Sequence, residues 1–150
     1  MESVPSVRDE TPRVNILMVD DSPDKLLALE SALESLGQNL VKASSGEQAL
    51  RLLLKREFAL ILLDVNMPGM DGFETASLIR QRRSLQKIPI IFVTSLSTTE
   101  AEIFKGYEFG AVDYILTPVL PEILRTKVGV FVELWRGQHE LRQQAEVLKR

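Results

Sequence analysis

Four polar residues stand at the ends of apolar stretches in this chain, and their types could carry chemistry. Asp20 and Asp21 stop the run Val14–Val19, Asp64 closes the run Phe58–Leu63, and Thr94 follows the run Ile88–Val93. Some of them have a plainer use. Asp21 or Ser22, just before Pro23, could cap a following helix, and Thr94 could be a loop hydroxyl. Asp64 is harder to explain that way, because an acid ending so apolar a run is tolerated only with a partner or a task. Three carboxylates drawn into one low-dielectric cleft would repel one another by several kcal/mol. A hard divalent cation such as Mg2+ relieves that repulsion, taking carboxylate, carbonyl and water oxygens in octahedral geometry. The same cluster suits phosphoryl transfer. The cation neutralises the phosphoryl oxygens, and a carboxylate attacks in line to give an aspartyl phosphate.

For these residues to meet, the chain must bring its strand ends to one edge. Short apolar runs alternate with segments of helical period. After Val14–Val19, the leucines Leu26, Leu27, Leu29, Leu33 and Leu36 recur at helical spacing up to Gly37, a C-cap signal. Leu40–Ala43 reads as a strand, and Ser44-Ser45-Gly46-Glu47 starts a helix through Ala49, Leu50, Leu53 and Leu54. Phe58–Leu63 is the most apolar strand, Met67–Gly72 a loop, and Phe73–Arg83 a helix. Ile88–Val93 is a fourth strand. Ser97-Thr98-Thr99-Glu100 has capping-box spacing and opens a helix to Phe109-Gly110. Val112–Ile115 is a fifth strand, and Pro121 stands where a last helix would begin. Strands apolar on both faces are buried on both faces, which parallel strands between helices provide. Right-handed crossovers then give an α/β, doubly wound five-stranded parallel sheet with its site at the carboxyl ends of the strands.

Composition narrows the chemistry further. The chain has 150 residues, 45% of them hydrophobic and 26% charged, in the range of one ordinary globular domain. It has no cysteine, so thiolate metal sites, disulfides and cysteine nucleophiles are excluded. One histidine, His139, cannot form a histidine metal cluster. A net charge of −3 gives no electrostatic case for nucleic-acid binding by the bulk surface. With neither a signal-peptide layout nor an apolar membrane span, the expectation is a cytoplasmic domain.

The ordered motifs resemble the response-regulator receiver domains of two-component signalling, which have a flavodoxin-like fold. The residues that carry the likeness are Asp20-Asp21-Ser22-Pro23, Ser45-Gly46-Glu47-Gln48-Ala49-Leu50, Asp64-Val65-Asn66-Met67-Pro68-Gly69-Met70-Asp71-Gly72, Thr94-Ser95, and Gly110-Ala111-Val112-Asp113-Tyr114 with Pro118. The resemblance implies that Asp64 accepts a phosphoryl group from a phosphohistidine of a partner kinase or phosphotransfer protein. It implies that Asp20, Asp21 and Asp64 hold Mg2+ together with the backbone carbonyl of Asn66. Thr94 would hydrogen-bond the phosphoryl group, and Tyr114 would be an aromatic switch that moves inward as Thr94 is drawn to it. One position departs. The family expects a lysine directly before Pro118, and Thr117 stands there. A receiver so altered should couple phosphorylation to its switch weakly, or act as a pseudo-receiver that only docks or dimerises. A phosphatase with an aspartate nucleophile, of the haloacid-dehalogenase kind, would need an acid where Asn66 stands, so that enzyme class is disfavoured.

On this reading residues 1–12 are a disordered leader, 13–130 the receiver, and 131–150 a C-terminal signalling helix leading to an output domain outside this sequence. From Pro121 to Arg150 a helix would run roughly 45 Å, longer than the ~30 Å diameter of a small domain. Phe131, Leu134, Gln138, Leu141, Ala145 and Leu148 recur at spacings of three and four, a short coiled-coil seam with a polar Gln. Gly129 and Gly137 each weaken that helix by about 1 kcal/mol, and fraying near Gly137 is the competing expectation. The seam predicts a homodimer through Phe131, Leu134, Leu141 and Leu148. His139-Glu140-Leu141-Arg142 resembles the start of a histidine-kinase phosphoacceptor box, but Gln143-Gln144-Ala145 break that pattern.

Overall fold

The computed structural model describes residues 12–95 and 99–149, with side chains as far as residue 145. Five parallel strands, β1 (Asn15–Val19), β2 (Asn39–Ala43), β3 (Leu60–Asp64), β4 (Ile90–Ser95) and β5 (Asp113–Thr117), form one sheet in the order β2-β1-β3-β4-β5. Between them run α1 (Pro23–Leu33), α2 (Gly46–Leu53), α3 (Gly72–Gln81) and α4 (Glu100–Glu108), and α5 (Pro121–Lys149) follows β5. This is the doubly wound arrangement expected from the buried strands.

The sheet alternates its side chains between two cores. Leu17, Val19, Ile61, Leu63 and Phe92 point to one face and pack with Ala49, Phe73, Ala76 and Ile79 of α2 and α3. Ile16, Met18, Leu60, Leu62, Ile91 and Val93 point to the other, against Leu26, Leu29 and Leu33 of α1 and Leu124, Val128 and Val132 of α5. Each such leucine taken out of water contributes roughly 1.5–3 kcal/mol. The central strands therefore carry nearly continuous apolar sequence because neither face meets solvent. Where β1 and β3 end, α1 leaves toward one side and α3 toward the other. That divergence opens a crevice at the switch point of the sheet.

Several boundaries differ from expectation for local reasons. α1 stops at Leu33, and a 3-10 turn over Glu34–Leu36 leads to Gly37, whose φ of 70° lets its N–H bond the Glu34 carbonyl. α3 ends at Gln81 instead of Arg83, because Arg82 turns extended ahead of a 3-10 turn over Arg83–Leu85. The capping box lies two residues beyond the expected one. Thr99 Oγ1 accepts from Glu102 N at 3.2 Å while the Glu102 carboxylate accepts from Thr99 N at 3.1 Å. The expected leader lies outside the described residues apart from Pro12, whose carbonyl accepts a bond from Arg136 of α5 at 3.2 Å.

α5 is a continuous helix through both Gly129 and Gly137, so it does not fray at Gly137. Its contact with the core runs past residue 130, through Val132 and on to Phe131 and Trp135 at the margin of the cluster. Arg125 fastens it to α1 by donating to the Ala32 carbonyl at 3.2 Å. Among the described residues, no helix is long and apolar enough to cross a membrane.

Candidate functional site

Asp20, at the end of β1, and Asp64, the last residue of β3, are 2% and 5% exposed. Asp21 is exposed beside them, and all three can present carboxylate oxygens within 4.8 Å of one another. The local sequence explains how. Ser22, not Asp21, caps α1, its hydroxyl accepting from Lys25 N at 3.3 Å, with Pro23 pre-set for the first turn. Asp20 Oδ1 accepts from Ser22 N at 2.9 Å, which fixes that carboxylate toward the crevice. Both aspartates are thus released from capping.

Asp64 is held by the loop that follows it. Asp71 caps α3, accepting from Glu74 N at 2.8 Å, and Gly72 N donates to the Val65 carbonyl at 2.9 Å. A β-carbon on Gly72 would overlap the Asp64 carbonyl and come within 2.8 Å of Val65 Cα. Only glycine lets the start of α3 lie so close to the strand that carries the acid. Asn66 is exposed on this loop, two residues past Asp64.

Electrostatically the cluster is a set of acids short of positive charge. Burial, then the neighbouring Asp20, pushes the Asp64 carboxyl up to about 6, against a lowering by the charge of Lys25 and the Asn66 backbone. Burial also raises Asp20, with Lys25 again opposing. Asp64 Oδ2 is buried with no hydrogen-bond partner. A buried, unpartnered carboxylate oxygen beside two further carboxylates is the donor set a hard, oxygen-seeking cation fits. Asp20, Asp21 and Asp64 are the groups the cluster offers to hold one.

The opposite wall comes from β4 and β5. Thr94 is buried. Thr117 lies one strand over, in register with Ser95, and its hydroxyl donates to the Thr94 carbonyl at 3.2 Å. It braces β4 and brings no charge to Asp64. Tyr114 sits inward, 8% exposed, with its hydroxyl 3.0 Å from the Ile103 carbonyl and 3.1 Å from that of Glu102. Burial pushes its phenol up from the usual tyrosine range. Gly106 of α4 makes this position accessible, because a β-carbon there would overlap the Tyr114 hydroxyl and approach Phe92 within 3.0 Å.

Of the seam residues, Phe131 is partly buried, while Leu134 and Leu141 are 53% and 66% exposed. Leu148 lies outside the described side chains. His139 is far in sequence from the acids; it stacks on Trp135 with ring centroids 4.7 Å apart. Sequence reasoning missed Lys25 and Gly106, and took Gly72 as the end of a loop without seeing how closely it approaches Asp64. Gly106 carried a weak signal, since it interrupts a helical pattern.

The chain matches the family described as "Response regulator receiver domain" over residues 16–129. It is 34% identical over 141 residues to the protein named "Probable cyclic di-GMP phosphodiesterase" of Vibrio cholerae, covering 94% of this chain and 32% of that one. It is 36% identical over 121 residues to the transcriptional regulatory protein ResD of Bacillus subtilis, covering 79% of this chain and 49% of that one. The chain therefore spans about a third to a half of the length of these relatives. Among solved structures, the chemotaxis protein CheY4 of Vibrio cholerae superposes with a TM-score of 0.75 at 29% identity, covering 80% of this chain and 99% of that one. The family match extends over every strand of the sheet and both sides of the crevice, and on that ground this chain belongs to the response-regulator receiver domains.

Proposed function

We propose that Asp64 is the phosphoryl acceptor of this receiver, and that a phosphohistidine on a partner kinase or phosphotransfer protein is its donor. The observation that carries the reading is Asp64 Oδ2, buried and unpartnered within a cluster of three carboxylates. With its pKa at about 6, Asp64 is mostly ionised at neutral pH and so available as a nucleophile. Asp20, Asp21 and the Asn66 carbonyl would hold Mg2+, which when bound neutralises charge on the phosphoryl oxygens. Thr94, on the facing wall, would donate a hydrogen bond to the transferred group. The protein would turn over only its own aspartyl phosphate, in the cytoplasm, with no separate substrate.

The test is intact-mass measurement of the full chain after Mg2+ and acetyl phosphate, repeated with Asp64→Asn. One phosphoryl group should be gained by the parent and none by the variant. A phosphate on Ser95, Thr117 or His139 overturns the assignment. A second reading, a pseudo-receiver that only docks or dimerises, is favoured by Thr117, whose hydroxyl serves β4 and leaves β5 without a charge for the site. No mass gain in the parent would establish it.

Self-association through α5 belongs to the same proposal. Phe131, Leu134, Gln138 and Leu141 form one wall of a groove of about 910 Å3, closed by the loops around Arg56 and Lys87 on the edge of the sheet away from the acids. Exposed leucines at helical spacing along that wall support pairing with a second copy. Light scattering should show concentration-dependent dimers for the full chain and monomers for a chain ending at Trp135. Equal masses for the two would remove the seam from any role in pairing.

A further inference from the structure

Phosphoryl transfer places more negative charge beside three carboxylates, and β5 offers nothing to meet it. Thr117 is uncharged, and its hydroxyl is committed to the Thr94 carbonyl. Among the described residues, Lys25 is the cation whose charge is felt at both Asp20 and Asp64. It stands in the first turn of α1, one turn beyond Asp21, on the helix whose cap Ser22 also bonds Asp20. Among the described residues, the ion pairs join Lys42 to Glu30, Lys127 to Asp113 and Arg136 to Glu133. Lys25 is in none of them. It is exposed, with a flexible four-carbon stem that can follow a moving charge.

We propose that Lys25, from the opposite wall of the crevice, supplies the phosphoryl-pairing cation that β5 lacks. In transfer from an acyl phosphate, the donor's P–O bond breaks and its carboxylate leaves with the bonding pair as the bond from Asp64 Oδ to phosphorus forms. No proton moves. The Lys25 ammonium contributes charge, pairing with the phosphoryl oxygens as they swing toward Asp64 and remaining beside the aspartyl phosphate afterwards. Delivered from β1–α1 rather than β5, this charge would favour transfer without pulling on Thr94 or Tyr114.

The inference rests on Asp64 being the acceptor, and the experiment separates the two. The full chain, Lys25→Ala, Lys25→Arg and Lys25→Ala with Thr117→Lys are compared in two measurements. These are the rate of phosphoryl gain from acetyl phosphate with saturating Mg2+, and Mg2+ affinity by calorimetry without phosphodonor. Lys25→Ala should gain phosphate roughly three- to tenfold more slowly, yet bind Mg2+ about twofold more tightly, because a competing positive charge has gone. Lys25→Arg should stay within about twofold of the parent rate, and added Thr117→Lys should recover most of the loss. The parent's advantage should shrink as salt is raised. A Lys25→Ala rate equal to the parent's overturns the proposal, and so does failure of Thr117→Lys to recover it. A fall in both rate and Mg2+ affinity also overturns it, since that marks a disturbed α1. Were the parent itself to gain no phosphate, the acceptor assignment would fall first and this inference with it.

Discussion

The β1–β3 side of the pocket brings three carboxylates within 4.8 Å, whereas the β4–β5 side brings two threonines, one of them bonded to the other's carbonyl. The first wall holds what a phosphoryl acceptor and its metal need. The second holds a buried Thr94 and an inward Tyr114, which could serve as a relay, but among the described residues it holds no cation to tie them to the acid. On the proposed reading, chemistry and read-out would thus be carried by different strands. A sequence can keep the first while altering the second.

The largest expected effect falls on the acidic wall. Asp64→Asn should abolish phosphoryl gain, and it should also stabilise the metal-free protein. The Asp64 carboxyl lies at about 6 in the fold against an ordinary value of 3.8. The proton it binds therefore favours the folded state at low pH, and that contribution is lost as pH rises through about 6. In the presence of a chelator, the advantage of Asp64→Asn over the parent should grow between pH 4 and pH 7.5 by up to about 3 kcal/mol. Urea unfolding at both pH values measures it. An advantage independent of pH would mean that the acid is not strained by its burial.

The relay wall should respond through packing. Gly106→Ala places a β-carbon on the Tyr114 hydroxyl and should cost about 1–3 kcal/mol or drive the ring outward. Paired with Tyr114→Ala, the same substitution should become nearly free. A cost that persists in the double variant would locate the effect in the helix alone. Smaller still is Thr117→Val, which removes the hydroxyl bonded to Thr94 and should cost about 1 kcal/mol of stability. Its rate of phosphoryl gain should match the parent's. A slowed rate would show that the second wall takes part in the chemistry and erase the contrast between the two.

Much of the acidic wall was legible in the sequence. Asp64 announced itself by ending an apolar run, and the strands by apolar stretches that allow no wet face. The choice between Asp21 and Ser22 as cap was not legible, because both types cap well and only the backbone path decides. The capping box was displaced because Ser97, Thr98 and Thr99 are all competent caps and Glu follows at Glu100 and again at Glu102. The inward Tyr114 depends on Gly106, eight residues away and on a different element, a coincidence that no periodicity reports. Lys25 was hidden for a similar reason. Its influence is set by where a helix starts relative to two strand ends.

The unbroken α5 also has a mechanical meaning. Leu124, Val128 and Val132 clamp its first half into the core, and its 29 residues continue as one rod past Trp135. Beyond that residue the helix extends about 20 Å at 1.5 Å per residue. Clamped along its first half and running on past Trp135, it can act as a lever whose fulcrum lies near Trp135. A tilt of about 5° at the clamp carries the far end through about 2 Å over that length. A displacement of that size shifts side chains across a helical surface by a sizeable part of one turn. Small repacking between α1 and α5 is therefore amplified with distance from the sheet.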